Sequence, residues 1–466
     1  MFTLTSTEKL IISTLQQEGM VYLVGGCIRD VLRGQVPKDH DIATSLDPTF
    51  VENLLTPILT LVPDQRAKEH GILRGVDRIT GKIVDVASLR EDTFCDGRFA
   101  QVSFTKDLYK DLARRDFTIN AMAAHIELDQ DTQNIKLITP IEHSREDLAE
   151  HVVRFVGDPH QRIQEDYLRM LRACRFTALG TDWHLEPKTL EAIKQNAQFL
   201  EYVSKERIRD EVLKSLAYPA PANFWRSVLE CNLLPLVFPE LTKAVGCVQN
   251  KHHSMDPVWD HILRCLEASV EIDVQCRPLF RLAVLLHDIG KPASKTGSGE
   301  DVHFYEHEVI GVPIASQWMT SLHFSKNDIL YVTKLIRYHQ FQFDDTTKLS
   351  SLRRWLRDVG KEIWEDLIML RCCDRKGNLA KQHLPVMTRE IRSLWEKISN
   401  IIANNDPIFI EDLAINGHDI IASGVEPGPR IRQIQKEILG IVWTEPKKNT
   451  REFLLSYVEK HHGKRN

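Results

Sequence analysis

The run "MVYLVGGCIRDVLRG", with "VPKDHDIATS" close behind it, limits the fold of this chain more than any other segment. Val21 and Leu23 lie in a β-prone apolar stretch, and Gly25-Gly26 makes a tight turn. Cys27 to Leu32 then carries the period of a helix start. Such a turn brings backbone N–H groups close to a phosphate, and the helix N-terminus adds favourable partial charge. Gly26 marks that turn, and Arg29, one turn inside the helix, is placed to reach the same anion. An ordinary strand-to-helix turn with no ligand is the competing reading.

If "DHDIATS" is extended, Asp39 and Asp41 leave the same face of a strand, because side chains alternate with period two. Two carboxylates on one face repel each other unless a cation sits between them. Oxygen ligands on a short rigid strand suit Mg²⁺, which keeps several waters and takes its other ligands from substrate phosphates. His40 then faces the other way, as a structural residue. "GKIVDVASLRED" supplies Asp85 as a third carboxylate, with Val84 and Val86 pointing to the opposite face. Three such groups would complete a two-metal site able to activate a hydroxyl and stabilise a leaving pyrophosphate. The bland alternative for the Asp-x-Asp pair is a solvated acidic loop.

In "RRDFTINAMA", Arg115 could pair with a triphosphate and Asp116 could accept a ribose 2′-hydroxyl, with Asn120 bracing the loop; a surface ion pair capping a buried segment is the competing reading. "HQRIQEDYLRMLRACRFTALG" is predicted as one helix. On a helical wheel Arg162, Asp166 and Arg169 fall within roughly 60° of one another, whereas Arg175 lies nearly opposite Asp166. A carboxylate that only accepts beside a guanidinium that only donates can read the Watson–Crick edge of a base. An i, i+3 surface salt bridge would use the same residues.

The second half is predicted to be helical. "DHILRCLEAS", "LLHDIGKP", "HFYEHEVIG", "IRYH" and "LRCCDRKGN" supply His261, His287-Asp288, His307, His339 and Asp374 in order. Nitrogen and carboxylate ligands spread over several helices can hold a divalent metal. Arg430, Arg432 and Lys436 near the start of a C-terminal helix could touch RNA phosphates, or simply line a solvated face.

At 466 residues the chain exceeds one ordinary core, so about two to four domains are expected. No apolar run reaches the roughly 18 residues of a membrane span. The opening "MFTLTSTEKLIISTLQQEG" reads as an amphipathic helix without the basic region or cleavage site of a secretory signal. Nine cysteines with no CxxC pair argue against a disulfide framework or structural zinc, and for a reducing cytoplasm. The net charge of −5 averages over domains, so a local basic surface can still hold a polyanion.

"LVGGCIRDVLRGQVPKDHDIATS", "DLARRDFTINAMA" and "QEDYLRMLRACRF" resemble, in order, three motifs of the polymerase-β-like nucleotidyltransferases that include tRNA CCA-adding enzymes and bacterial poly(A) polymerases. The resemblance implies template-independent addition of CCA to tRNA from CTP and ATP with Mg²⁺. Asp39, Asp41 and Asp85 would be catalytic, with Mg²⁺ on Asp39 and Asp41. Gly26, Arg29, Arg115, Asp116, Asp166, Arg169, Arg172 and Arg175 would bind the nucleotide, with Asp166 and Arg169 reading the base. "LREDTFCDGRFAQVSF" resembles the family's mobile loop, but Phe99-Ala100 follows Arg98 where that loop usually carries a proline. The second half resembles the HD metal-dependent phosphohydrolases, which implies His261, His287, Asp288 and Asp374 as ligands. His307 and His339 are left for a second metal or a substrate phosphate.

The expectation is therefore an α+β protein. It comprises a small mixed-sheet head (1–145), a helical neck (146–245), an HD module (246–380) and a helical tail (381–466). A poly(A) polymerase, a CC- or A-adding enzyme, and a phosphohydrolase whose N-terminal half only binds RNA are the alternatives.

Overall fold

A computed structural model describes residues 2–95, 100–128, 133–251, 254–344 and 346–463. They form two compact units, Met1–Pro239 and Glu240–Asn466. The chain is α+β, with its seven-stranded sheet in the first unit and helices dominating the second.

The first unit opens with α1 (Ser6–Gln16), started by a capping box in which Thr5 and Glu8 each accept the other's backbone N–H. Ile11, Ile12 and Leu15 bury its apolar face. Nine strands follow in this unit's head: β1 (Val21–Val24), β2 (Ile42–Thr44), β3 (Leu59–Leu61), β4 (Ile72–Asp77), β5 (Ile83–Ser88), β6 (Arg90–Cys95), β7 (Ala100–Phe104), β8 (Ala123–Leu128) and β9 (Gln133–Ile138). Seven of them make one mixed sheet in the order β3-β4-β5-β2-β1-β8-β9, while β6 and β7 pair separately. Within that sheet β2 and β5 run parallel, and the other pairings are antiparallel.

Between β1 and β2 lies α2 (Gly26–Leu32). Its cap, Gly25, has φ +75° and ψ −132°, a conformation essentially confined to glycine. The strand expected to carry both aspartates begins only at Ile42, so Asp39 sits on a bend and Asp41 directly precedes the strand, its carbonyl accepting the Val24 N–H at 3.0 Å. His40 turns away to Glu8, whose Oε1 is 2.9 Å from its Nδ1.

The single helix expected over residues 160–180 is two helices, α3 (Pro159–Glu165) and α4 (Arg169–Thr177). Asp166 between them is extended, with φ −158°. Its Oδ1 accepts the Leu168 N–H at 3.1 Å, a local side-chain bond that competes with the helical ladder. Farther on, α5 (Lys205–Leu216) packs against α4.

In the second unit α6 (Val258–Ile272), α7 (Pro278–Leu286), α8 (His307–Ser321), α9 (Lys326–Tyr338) and α10 (Trp364–Gly377) surround a core that includes Leu266, Leu282, Leu335 and Leu367. The tail forms α11 (Arg430–Thr444) and α12 (Arg451–His462), which share a cluster built on Ile438, Val442 and Leu454. No helix among the described residues is long and apolar enough to cross a membrane.

Candidate functional site

The parallel seam places the first carboxylates. Ile42 pairs with Val86, and the same register carried back one residue sets Asp41 beside Asp85. Ile42 and Val86 are buried on one face, so the two aspartates belong to the other. Protein atoms crowded around the Asp41 carboxyl push it above the ordinary carboxylate range, and the charges of Asp39 and Asp85 add to that, against Arg115. Asp85 meanwhile holds Arg74 in a two-pronged pair, at 2.8 and 2.7 Å. The three carboxylates repel one another through space but are not gathered within 4.8 Å as ligands of one ion. A donor set of mutually repelling oxygens, with one pKa raised by the crowding, fits an oxygen-loving cation such as Mg²⁺.

Gly25 makes room for this corner. A Cβ on it would lie 2.7 Å from Arg115 Nη1 and 3.5 Å from Asp41 Oδ2. At Gly26 the nearest atom would be Arg29 Nη2 at 3.5 Å, an ordinary contact. Gly25, rather than Gly26, is therefore the glycine this geometry requires. The diglycine signals a turn without telling which of its residues takes positive φ.

A chain of polar contacts runs inward from there. Arg29 is buried, and its Nη1 donates to Asn120 Oδ1 at 2.8 Å. Asn120 Nδ2 donates to Asp116 Oδ1 at 3.2 Å, and Arg172 holds Asp116 Oδ2 at 2.5 Å. Burial alone would push the Asp116 carboxyl up, but the Arg172 guanidinium overrides it and holds it down at about 2.

Arg115, Asp116, Asp166, Arg169 and Arg172 line one cleft of about 380 Å³. Arg90, Arg114 and Arg207 line it too, and were not singled out by sequence. Burial, with Arg114 alongside, pushes the Arg90 guanidinium down to about 10. Crowded cations of this kind favour a polyanion.

Asp166 faces Arg207, which grips it at 3.1 and 2.7 Å. Arg169 instead donates to Glu165 Oε2 at 2.5 Å, so the two side chains line the cleft together while each is held by another partner. Arg29 and Arg175 are not among the cleft's lining residues. Arg175 is buried, donates to Glu211 at 2.5 Å and to the Tyr218 hydroxyl, and stacks over Phe176. It bolts α4 to α5 and makes no approach to the cleft. The Arg98-Phe99 segment of the expected mobile loop lies outside the described residues.

The second unit holds a denser cluster. His261 Nε2 lies 3.3 Å from Asp288 Oδ2 and 3.2 Å from Asp374 Oδ1, while His287 Nε2 lies 3.2 Å from Asp288 Oδ2. The other oxygen of Asp288 is 3.2 Å from His307 Nε2 and 3.8 Å from His339 Nε2. The Nδ1 atoms of His287, His307 and His339 each meet a backbone carbonyl, at 2.7, 2.9 and 2.7 Å. That fixes the proton on Nδ1 of the neutral ring and aims the Nε2 lone pairs at carboxylate oxygens, an arrangement that a cation resolves. Burial alone would push His261 and His307 down; the carboxylates around them, and Cys265 beside His261, hold both up instead. A cavity of about 330 Å³ opens onto Asp288 and Asp374, ringed by Lys291, Arg371, Arg375 and Lys381. Cys265, 3.5 Å from His261 Nε2, was not picked out by sequence.

Three family models match in succession. A poly A polymerase head domain matches residues 21–154, a probable RNA and SrmB-binding site of polymerase A matches 182–245, and an HD domain matches 258–375. Head, middle and HD-like region of this chain are thus each similar to one of these families, and each match covers less than half of the chain. Among similar proteins, the human mitochondrial CCA tRNA nucleotidyltransferase 1 is 38% identical over 42% of this chain and 43% of its own length, so the match spans under half of that relative. An A-adding tRNA nucleotidyltransferase of Deinococcus radiodurans is 28% identical over 89% of this chain and 90% of its own length. The fold is similar to that of the Bacillus stearothermophilus CCA-adding enzyme solved with CTP, with a TM-score of 0.69 at 23% identity, covering 98% of each chain.

Proposed function

We propose that this chain adds CCA to tRNA 3′ ends from CTP and ATP, without a nucleic-acid template and with release of pyrophosphate. The observation that carries the reading is the corner where the β2–β5 seam sets Asp41 beside Asp85, opposite the Gly25 turn and Arg115. Head, neck, HD module and tail are read as 1–145, 146–245, 246–380 and 381–466.

Asp39 and Asp41 would hold Mg²⁺, which when bound supplies charge stabilisation to the triphosphate and lowers the pKa of a coordinated hydroxyl. Asp85, once Arg74 lets go, accepts the proton of the primer 3′-hydroxyl. Arg115 holds the triphosphate, with Arg90 and Arg114 adding positive potential. Gly26 opens the helix beneath the phosphates, and Arg29 works one contact back, steadying Asn120 and thus Asp116. Asp116 accepts the ribose 2′-hydroxyl while Arg172 keeps it ionised. Asp166 and Arg169 present an acceptor and a donor to the base. Asp166 becomes free to meet the base when it gives up Arg207. Arg175 keeps α4 and α5 in place.

The test measures CMP and AMP incorporation into tRNA lacking its 3′ end, with CTP alone, ATP alone and both. Incorporation of C, C and then A is expected, and Asp39→Ala should abolish it while leaving the circular dichroism unchanged. Full activity in that variant would end the reading. A product extended by A alone, and only on tRNA already ending in CC, would favour the specificity named for the Deinococcus relative.

The cation-ringed cavity above the histidine cluster favours a second reading for the HD module, hydrolysis of a phosphate ester at a divalent ion. Phosphate release by the metal-loaded protein, lost in His287→Ala with nucleotide addition retained, would support it.

A further inference from the structure

Arg74 stands outside the nucleotide cleft but in line with the carboxylates of the head. It lies opposite Asp85 in the antiparallel β4–β5 register, and the β2–β5 register sets Asp41 on the other side of Asp85. Arg74, Asp85 and Asp41 thus form a row across three adjacent strands on one face of the sheet. Beyond Asp41 the row ends at the Gly25 turn and Arg115. Ile72 and Ala87 pair two residues farther along the same face and line the cleft, as Arg115 does, whereas Arg74 and Asp85 are not among its lining residues.

Phosphoryl transfer sets the attacking and leaving oxygens in line, on opposite sides of the phosphorus. The Gly25 turn and Arg115 mark the triphosphate end of the row, so the attacking hydroxyl, with the RNA behind it, comes from the end that Arg74 occupies. Arg74 holds both oxygens of Asp85, Nε to Oδ1 at 2.8 Å and Nη2 to Oδ2 at 2.7 Å. The carboxylate that has to take the hydroxyl proton is therefore engaged at both acceptors. The side chains of Arg74 and Asp85 are 49% and 35% exposed, and an ion pair so open to water is weak and readily exchanged. The guanidinium fork that fits a carboxylate fits the two free oxygens of a phosphodiester as well.

Sheet stability alone accounts for less. A cross-strand ion pair that only steadied the hairpin would serve at any exposed position of β4 and β5. This one closes the carboxylate whose charge Asp41 feels, at the end of the row away from Arg115.

We infer that Arg74 binds the terminal phosphodiester of the RNA primer, and that exchanging Asp85 for this phosphate frees the carboxylate only when a primer is in place. The inference rests on the reading that this head extends RNA, and the test separates the two. Binding of tRNA lacking its 3′ end to the full-length protein is followed by fluorescence anisotropy without CTP, across a series of salt concentrations. The proteins compared are the parent, Arg74→Ala, Arg74→Lys, Asp85→Asn and the double variant Arg74→Ala/Asp85→Asn. Arg74→Ala should weaken binding several-fold and reduce the slope of log K against log salt by about 0.7, the share of one single-strand phosphate contact. Arg74→Lys should restore most of both. Asp85→Asn leaves Arg74 without a competing carboxylate, so it should bind more tightly than the parent, and the double variant should match Arg74→Ala. In steady-state assays Arg74→Ala should raise the KM for tRNA and leave the KM for CTP unchanged. Single variants that shift binding in the same direction, a gain from Asp85→Asn that persists without Arg74, an unchanged salt slope in Arg74→Ala, or a selective rise in the CTP KM would each overturn the inference while leaving RNA extension standing. An unmodified protein that neither binds nor extends the tRNA would overturn both.

Discussion

The two glycines at the start of α2 are adjacent in sequence, yet the structure assigns them opposite tolerance. Gly25→Ala forces an L-residue into φ +75°, ψ −132°, which costs about 1–3 kcal/mol in backbone strain. Its Cβ would also come within 2.7 Å of Arg115 Nη1, and because that atom ends a flexible side chain, the guanidinium moves rather than the backbone. Gly26→Ala meets nothing closer than 3.5 Å and lies inside a helix, where the exchange is worth about 0.4–1 kcal/mol in favour of alanine. The two variants should therefore differ by about 1.4–4 kcal/mol. For a unit of this size 1 kcal/mol moves the melting temperature by about 2–4 °C, so the gap is of order 3–16 °C. Differential scanning calorimetry of both proteins reads the stability, and steady-state kinetics with CTP reads the site. Gly25→Ala should raise the KM for nucleotide, because the displaced group is Arg115, while Gly26→Ala stays near the parent. Equal melting temperatures, or a larger loss in Gly26→Ala, would show that the turn does not have the conformation described.

Asp116→Asn should cost about 2 kcal/mol at neutral pH, from a carboxyl held at about 2 against an unfolded value of 3.8. Because its folded pKa is depressed, that contribution is fully present above 3.8 and fades as pH falls toward 2. Denaturation curves of parent and variant should thus keep a constant separation at pH 5–8 and converge below 4; a separation that changes across neutrality would refute the assignment. Arg175→Met leaves Glu211 buried without its main partner, so about 3 kcal/mol of stability should go. Nucleotide KM in the folded fraction should not change, and a selective KM increase would return Arg175 to the cleft. Arg207→Ala frees the Asp166 carboxylate, so discrimination of CTP and ATP against UTP and GTP should shift; unchanged selectivity in a competition assay would remove Arg207 from the base pocket.

The parts of the site that were legible in sequence are those set by strict local rules. Asp85 alternates with Val84 and Val86 as a period-two strand demands, and the apolar helix before His287-Asp288 fixes where that pair emerges. The break at Asp166 was not legible, because "QEDYLRM" contains no glycine or proline and the helix yields to a single side-chain bond to Leu168. Once the helix is interrupted there, the wheel still groups Arg169 with Arg162 but misses the partners that Asp166 and Arg169 take instead. Arg207 is 41 residues from the aspartate it holds, and no local pattern encodes such a pairing.

The parallel seam between β2 and β5 has an evolutionary corollary. Because a strand's faces swap with every residue, inserting or deleting one residue within Ile83–Ser88 would drive the Asp85 carboxylate into the apolar layer and expose a valine in its stead. Length changes in the exposed Ile79–Lys82 hairpin tip leave the alternation intact. Homologues that keep the chemistry should therefore vary in length at that tip and never inside the strand.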